Sequence, residues 1–272
     1  MNKLTNEYFY IHNICYWYGN SRIENLKSHI EAVKNVPLSK SQHGKNLVII
    51  SLMCDEESQI DDPTINSLTD LGNELVDVEV IPWFNSGGTT RSMWNVYKNL
   101  KERNITSKYF GTWEDDYLFA KEMFLDDAAV YLERGNLFVG ALWTPPHITF
   151  GGEFGTPPTA EHNYDRMVEK GYKYPPPSSH LLLKGGECYF FSELKEYRWC
   201  EDPYIMKYEN LSKIENLIGR FTHAPSEKYI HWDHGVVHGE VGFPSRLHLS
   251  GAKFFGIEFD KIFKFLNNAS MV

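Results

Sequence analysis

The first 140 residues alternate between short apolar runs and segments whose apolar positions recur at helical spacing. The run at 46–53 is continuously apolar and of strand length, as expected for a central parallel strand covered on both faces. Aromatic and β-branched residues dominate the run at 8–18, which also predicts a buried strand. The predicted elements are, in order, strand 8–18, helix 23–33, strand 46–53, helix 65–75, strand 76–83, a helix after Gly88 and a strand from Lys108.

This β-α-β-α-β-α-β order predicts an α/β fold with a mostly parallel sheet, right-handed crossovers and helices on both faces. Ligands bind such sheets beyond the carboxyl ends of the strands, which lie at one edge. Polar residues follow each of the four predicted strands, at 16–20, 55–57, 85–88 and 114–116. The sequence therefore predicts one ligand site at this edge.

The second half has a different pattern. Seven of the 13 prolines and four glycines lie between 143 and 180, where long helices are excluded. Because aromatic residues are interspersed there, we expect an ordered lid and not a linker. Further predictions are strand, turn and strand at 181–192, a helix opened by 201–203, and a helix or a strand and helix at 254–266. No internal repeat appears, so we expect a single domain over 1–272.

Composition narrows the range of functions. With 42% hydrophobic residues among 272, the chain has ample apolar side chains for a core. The formal net charge of −9 argues against nucleic acid as a partner, because phosphate backbones select basic surfaces. No segment approaches the ~20 apolar residues of a membrane span, and we expect a cytoplasmic protein. The four cysteines are scattered without a C-x-x-C pair, which favours buried thiols over a zinc site.

Three consecutive acids, Glu114, Asp115 and Asp116, follow the predicted strand that begins at Lys108. A second apolar run comes after them. Adjacent carboxylates repel one another and are costly to bury, so such a cluster at the end of a buried strand favours a cation. Carboxylate oxygens suit Mn²⁺ and Mg²⁺, which points to a metal site that faces a phosphorylated ligand. The alternative is that one or two of these acids cap the next helix.

The turn Asn85-x-Gly87-Gly88 precedes a predicted helix that carries Arg91 in its first turn. Glycines allow the backbone to approach a ligand closely, and a helix N-terminus favours anions. This turn is therefore a candidate phosphate or sugar contact. The alternative is a plain loop in which a serine or threonine caps the helix.

The order of these features resembles the GT-A type of nucleotide-sugar glycosyltransferase. The matching pieces are the opening strand and helix, the acidic end of the second strand, the Asn85-x-Gly87-Gly88 turn and the acids at 114–116, which look like the family's D-x-D signature in its E-D-D form. The resemblance covers most of 8–140 and, more loosely, 181–242. It implies a Rossmann-like fold with a nucleotide-sugar-binding half at 1–140 and an acceptor-binding half at 141–272.

The resemblance implies a set of metal ligands. Asp116 is expected to bind Mn²⁺ or Mg²⁺ directly, with Glu114 or Asp115 nearer the donor ribose or a bound water. A later histidine in such proteins supplies another ligand or a pyrophosphate contact, and His238 and His234 are the first candidates. The alternative is that these are surface histidines on a loop.

The resemblance also implies where the nucleoside lies. Asp55 or Glu56, at the end of the second strand, is expected to receive the base or the ribose. Tyr16 or Tyr18, at the end of the first strand, is expected to stack on the base. The alternative for these tyrosines is packing in the core.

A general base is implied as well, because an inverting transferase needs a carboxylate that takes the proton of the acceptor hydroxyl. Asp202, and next to it Glu201, resembles the acidic pair that begins a helix beneath the acceptor in this family. Asp233 and Glu153 are further candidates. The alternative is that Asp202 caps a helix with Pro203 in its first turn.

The sequence therefore predicts a metal-dependent, inverting glycosyltransferase. Its expected partners are a nucleotide diphosphate sugar donor and a glycan or other hydroxyl acceptor, without nucleic acid or a membrane span, and 254–266 is a candidate homo-oligomer contact. One alternative is a sugar-1-phosphate nucleotidyltransferase, although 16–19 lacks the Gly-rich basic loop of that class. A non-catalytic carbohydrate-binding protein on the same fold is another.

Overall fold

A computed structural model describes residues 7–17, 22–36, 45–54, 61–84, 89–119, 124–143, 199–222, 255–258 and 263–265. The strands are β1 (Glu7–Trp17), β2 (Asn46–Cys54), β3 (Val76–Phe84), β4 (Thr106–Glu114), β5 (Tyr117–Phe119), β6 (Phe138–Trp143), β7 (Trp199–Lys207), β8 (Phe255–Glu258) and β9 (Phe263–Phe265). The helices are α1 (Ile23–Lys34), α2 (Asp62–Thr69), α3 (Thr89–Glu102), α4 (Phe124–Glu133) and α5 (Tyr208–Thr222). The predicted lid beyond Trp143 and the strands at 181–192 lie outside these ranges.

Seven strands form one mixed sheet in the order β3-β2-β1-β4-β7-β6-β8. Strands β1 to β4 are parallel, whereas β7 runs antiparallel to both β4 and β6. A second, small sheet pairs β5 with β9 in antiparallel orientation. This architecture confirms the predicted α/β, Rossmann-like fold with a mostly parallel sheet. It also places β7, from the second half of the sequence, inside the sheet that the first half begins.

The sheet grows outward from β1 in two directions. Strands β2 and β3 follow on one side, and β4 pairs with β1 on the other side from Glu7↔Thr106 to Cys15↔Glu114. A sheet whose connections leave two neighbouring strands in opposite directions has a topological switch point, with a crevice at the carboxyl ends of those strands. Here the switch point lies between the ends of β1 and β4.

Apolar layers cover both faces of the sheet. Helices α1, α2 and α4 contribute Leu26, Leu68 and Leu132 to one layer, and α3 and α5 contribute Met93 and Leu211 to the other. Strand β2 is buried at all nine of its positions because both of its faces are covered. This burial explains the continuous apolar run that replaces alternation in its sequence.

The prediction that 201–203 opens a helix is wrong. These residues lie in β7, and α5 begins only at Tyr208. Residues 204–206 are fully buried where β7 pairs with β4 and β6, and this pairing outweighs the local capping signal. The β6–β7 register shifts so that Asp202 and Pro203 are bypassed, and a bulge of this kind accommodates a proline, which has no N–H to donate.

Two other boundaries differ from the prediction. In its described part, the C-terminal segment contains the strands β8 and β9 and no helix, because β8 pairs with β6 and β9 pairs with β5. Helix α2 occupies 62–69 instead of 65–75. It begins early because the Asp61 carboxylate accepts a hydrogen bond from the Thr64 N–H at 2.8 Å, which caps the helix.

Candidate functional site

The carboxyl ends of β1, β2, β3 and β4 lie at one edge of the sheet, because all four strands are parallel. Directly after β4 the chain turns at Asp115 and Asp116 and enters β5. We call residues 114–116 the acid turn. It lies at the switch point between β1 and β4, where a sheet of this topology binds ligands.

The guanidinium of Arg22 faces two carboxylates in the acid turn. Asp115 is 6% exposed, and its Oδ1 lies 3.4 Å from Nη1 of Arg22. The same nitrogen lies 3.7 Å from Oδ2 of Asp116. Arg22 immediately precedes α1, so both acids lie beside the N-terminal end of that helix, whose dipole favours negative charge.

Burial controls the ionisation of this pair. It raises the pKa of Asp115 to about 6, with Arg22 acting in the opposite direction and the neighbouring Asp116 adding to the rise. The pKa of Asp116 is also raised by burial and lowered in part by Arg22. The guanidinium therefore offsets only part of the cost of burying two negative charges. Ionisable groups perturbed in this way cluster at functional sites.

Asp116 is the residue that fits a metal ion. Its Oδ1 is buried and has no hydrogen-bond partner among the residues described. Within those residues no three His, Cys, Asp or Glu side chains converge on a point. Hard divalent cations are commonly held by one or two carboxylates together with phosphate oxygens of a ligand, so an aspartate with a vacant buried oxygen suits this role.

Sequence reasoning missed Arg22. The contact joins residues 93 positions apart, and only the fold brings them together. One local signal was present, since Arg22 is the only basic residue between the end of β1 and the start of α1. The pairing of that residue with Asp115 and Asp116 had no counterpart in the sequence pattern.

Strand alternation separates the two aromatic residues at the end of β1. Tyr16 is 5% exposed and belongs to the core, as in the alternative interpretation of the sequence, whereas Trp17 is 45% exposed. Burial raises the pKa of the Tyr16 hydroxyl, the nearby Asp115 raises it further, and Arg22 lowers it. Tyr16 therefore lines the inner side of the acid turn. Within the described residues at the end of β1, the exposed aromatic surface belongs to Trp17, which the sequence analysis did not single out.

A buried asparagine joins the same edge to α3. Asn13 accepts a hydrogen bond from the Ser51 hydroxyl at 2.7 Å and donates to Thr112 at 3.0 Å and to Ser92 at 3.2 Å. Ser92 lies in the first turn of α3, so β1, β2, β4 and the start of that helix are fixed together. Arg91 lies beside Ser92 in the same turn, as predicted.

The amino end of β7 reaches the same edge, because β7 runs antiparallel to β4. The β4–β7 ladder ends at Thr112↔Tyr204, and Asp202 lies two residues further toward the edge. Glu201 pairs with Ala141 of β6 beyond the bulge. Both predicted base candidates thus have their backbone at the edge that carries the acid turn, although on a strand and not on a helix.

The remaining predicted site residues lie outside the described part of the chain and stay predictions. They are Tyr18, Asp55, Glu56, Asn85, Gly87, Gly88, Glu153, Asp233, His234 and His238.

No helix of the described part is long and apolar enough to cross a membrane.

No protein-family model matches the chain, and no curated protein matches its sequence. Among solved structures, the chain is similar to the S. cerevisiae mannosyltransferase Ktr4p in complex with GDP, at 15% identity and a TM-score of 0.40 over 96% of this chain and 71% of that one. It is also similar to the apo form of mouse xyloside xylosyltransferase 1, at 10% identity and a TM-score of 0.37 over 93% of this chain and 85% of that one. Likenesses of this size decide nothing about activity.

Proposed function

We propose that this protein is a metal-dependent glycosyltransferase that transfers a sugar from a nucleotide diphosphate sugar to a hydroxyl acceptor, with inversion. The observation that carries the proposal is the acid turn, in which the buried carboxylate of Asp115 and the partly buried carboxylate of Asp116 share one guanidinium at a topological switch point. A site of this kind has an excess of negative charge that a divalent cation would neutralise. It also lies where sheets of this topology bind nucleotides.

Asp116 would hold the cation through its unpartnered Oδ1. A bound Mn²⁺ or Mg²⁺ would offset the negative charge that develops on the diphosphate leaving group. Asp115, which is held by Arg22, would orient the ribose or a bound water. Among the predicted ligands, His234 and His238 would complete the set from outside the described residues.

The donor nucleotide would lie along the edge formed by the ends of β1 to β4. Trp17 supplies an exposed indole at the end of β1, and a nucleobase stacked on such a ring gains about 1–3 kcal/mol. The N-terminal end of α3, preceded by Gly87 and Gly88, would receive a phosphate group through backbone N–H groups. The buried Asn13 fixes that helix end against the sheet.

Asp202 would act as the general base in the transfer step. It would take the proton of the acceptor hydroxyl as the hydroxyl oxygen bonds to the anomeric carbon and the bond to the diphosphate breaks. The bulge in β7 supports this role, because a residue bypassed by the ladder is released from regular pairing at the site edge. Glu201 and Asp233 are the next candidates.

A second candidate function is a sugar-1-phosphate nucleotidyltransferase. Arg22 favours it, because a basic residue after the first strand is a feature expected of that class. Arg22 is already paired with Asp115 and Asp116, which fits a structural counter-charge better than a free phosphate contact. The transferase remains the better explanation.

Calorimetric titration of the purified protein with UDP, GDP and their sugar conjugates, in Mn²⁺ and in EDTA, tests the proposal. Binding of a nucleoside diphosphate that requires Mn²⁺, together with release of that diphosphate in the presence of a hydroxyl acceptor, is the expected result. Release of pyrophosphate from a nucleoside triphosphate and a sugar 1-phosphate would favour the second candidate. Equal binding in Mn²⁺ and EDTA would overturn the metal dependence, and binding of free sugar alone would indicate a non-catalytic protein.

A further inference from the structure

The face of the sheet that packs against α3 and α5 changes from apolar to polar near the carboxyl ends of its strands. In β1, β2 and β4 this face carries the core residues Ile11, Ile49 and Phe110. Because side chains alternate along a strand, the next residues on the same face lie two positions further toward the carboxyl ends. They are Asn13, Ser51 and Thr112, and all three are 0% exposed.

The opposite face of the sheet is apolar at the same level. Ile14, the next residue of β1, is paired with Ile50 of β2 on one side and with Trp113 of β4 on the other. All three are 0% exposed, and they belong to the core that α1, α2 and α4 cover. Filling the core at this level therefore does not require polar side chains. Burying them is costly unless each has a hydrogen-bond partner, so the change on the α3 face needs a reason of its own.

Asn13 provides the partners. Its side-chain amide contacts the hydroxyl of Ser51 at 2.7 Å and that of Thr112 at 3.0 Å, which joins β1 to both of its neighbours. The same amide contacts the hydroxyl of Ser92, in the first turn of α3, at 3.2 Å. All three hydroxyls can donate or accept, so the contacts hold in either orientation of the amide. We call these four residues the amide cluster.

The contact with α3 differs from the other two in what it adds. Neighbouring strands are already joined by backbone hydrogen bonds, and Asn13 is paired with Thr112 in the β1–β4 ladder. A helix cannot join such a ladder, because its backbone groups bond within the helix. Met93 and Val96 pack α3 on the sheet, but apolar packing is not directional. The hydrogen bond between Asn13 and Ser92 is directional, and it fixes where along the sheet the helix begins.

The amide cluster lies next to the acid turn. Glu114 is two residues beyond Thr112, so it is the next residue of β4 on the same face. It is paired with Cys15, which is the next residue of β1 on that face after Asn13. One buried group of hydrogen bonds therefore connects the strand that leads into the acid turn with the first turn of α3.

We propose that Asn13 and Ser92 are positioning residues, which set the distance between the acid turn and the N-terminal end of α3 through their buried hydrogen bond. The purpose of this spacing rests on the proposed function, in which the acid turn and the N–H groups of α3 hold opposite ends of one diphosphate. A diphosphate has a fixed length, so a displaced helix end would lose contacts with it. The spacing itself is a property of the fold and does not depend on a ligand.

The first test uses the unaltered protein. The side-chain N–H₂ group of Asn13 is buried and hydrogen-bonded in either orientation, so its protons should exchange with solvent as slowly as the backbone amides of β1. Hydrogen exchange followed by nitrogen-15 NMR measures both rates. Rapid exchange of the Asn13 side chain would overturn the proposal, because the cluster would then be open to water.

The second test compares two substitutions of the same chemistry around the same asparagine. Ser92→Ala removes the hydroxyl that links Asn13 to α3, whereas Ser51→Ala removes the hydroxyl that links it to β2. Both serines are 0% exposed, and each substitution leaves part of the Asn13 amide without a partner. Denaturant titrations should therefore show similar losses of stability in the two variants.

Only Ser92→Ala should loosen the start of α3. We expect backbone amide exchange at residues 93–95 to become about 3–10-fold faster, the effect of losing one buried hydrogen bond. Helix propensity acts in the opposite direction, because alanine favours a helix more than serine does. Faster exchange would therefore report the lost contact with the sheet. Exchange at 93–95 that is no faster than in Ser51→Ala would overturn the proposal.

Ligand affinity separates this proposal from the proposed function. Calorimetric titration with UDP and with GDP in Mn²⁺ should show binding about 3–10-fold weaker in Ser92→Ala and unchanged in Ser51→Ala. If a nucleoside diphosphate binds both variants equally well, the positioning role is abandoned and the proposed function stands. If the unaltered protein binds neither UDP nor GDP, but Ser92→Ala still accelerates exchange at 93–95, the positioning role holds and the proposed function falls.

Discussion

The two edges of the central sheet carry charge in different ways. Among the described residues at the edge with the amino ends of the parallel strands, three acids each pair with one base: Lys45 with Asp77 at 2.8 Å, Lys207 with Glu133 at 2.9 Å, and Arg103 with Glu79. At the opposite edge, Arg22 is shared between Asp115 and Asp116 at 3.4 and 3.7 Å. Among the described residues, the pairs at the amino-end edge are balanced and partly exposed, whereas in the acid turn one guanidinium faces two carboxylates, of which that of Asp115 is buried.

This difference distinguishes ion pairs at an accessible surface from carboxylates that are removed from solvent. Exposed ion pairs contribute about 0–1 kcal/mol each, so the amino-end edge is a solvated surface that tolerates change. The acid turn lowers the stability of the folded protein, because burial opposes ionisation of both carboxylates. A costly arrangement of this kind is expected where a ligand or an ion completes it.

The largest effect is expected from Asp116→Asn in the acid turn. Because Asp116 would hold the cation, we expect Mn²⁺-dependent nucleotide binding and sugar transfer to fall to background, while thermal stability is unchanged or rises by about 1 kcal/mol. Calorimetry and a thermal melt measure the two effects. The matched control is Asp77→Asn at the amino-end edge, which should lose about 1 kcal/mol or less and keep ligand binding.

Asp202→Asn should separate binding from chemistry. The amide keeps the shape of the side chain but cannot take a proton, so turnover is expected to fall by about 10²–10⁴-fold. Affinity for the donor should remain within about twofold by calorimetry, because the acid turn is untouched. If turnover is retained, Asp202 is not the base, and the same substitution at Glu201 is the next experiment.

The free energy of unfolding, measured without metal at a series of pH values, should depend on pH in opposite directions for the acid turn and for the amino-end edge. The pKa of Asp115 is raised from 3.8 to about 6, so between these values the folded protein holds a proton that the unfolded chain has released. Stability should therefore fall as pH rises through this window, by about 3 kcal/mol in total. Denaturant titrations in EDTA at a series of pH values measure the slope, which Asp115→Asn should reduce to the part that comes from Asp116, whose pKa is also raised.

Glu133→Gln is the control for that slope. A hydrogen bond from Lys207 lowers the pKa of Glu133. The stability that this carboxylate adds to the folded protein is therefore present above the usual pKa of a glutamate and is lost as pH falls. The sign is opposite to that of Asp115, and the effect is small because the pair is exposed. An unchanged slope in Asp115→Asn would contradict the assignment of the buried acid.

Trp17→Ala should give the smallest effect at the site edge. Loss of a stacking surface is expected to weaken nucleoside diphosphate binding by about tenfold, with little change in stability because 45% of the residue is exposed. Tyr16→Phe is the matched aromatic change on the inner side and should leave that affinity nearly unchanged. If Tyr16→Phe has the larger effect on affinity, the base lies elsewhere.

Much of the first half could be predicted from the sequence because its signals are local. The continuous apolar run of β2 and the helical spacing of α1 reflect burial within each element. The acids after β4 were correctly placed at a strand end. The role of 201–203 was missed because an Asp-Pro pair has the same local appearance before a helix as in a bulged strand, and the choice was made by pairing with β4 and β6.

The sequence by itself determined the order of strands and helices from β1 to β4 and the position of three acids at the end of a buried strand. These follow from periodicity and from the cost of burying charge, which act over a few residues. Only the tertiary structure decided that Arg22 meets Asp115 across 93 positions and that Trp113 meets Tyr10 across 103. Such contacts depend on which strands become neighbours, and the free energy of packing the whole sheet decides that.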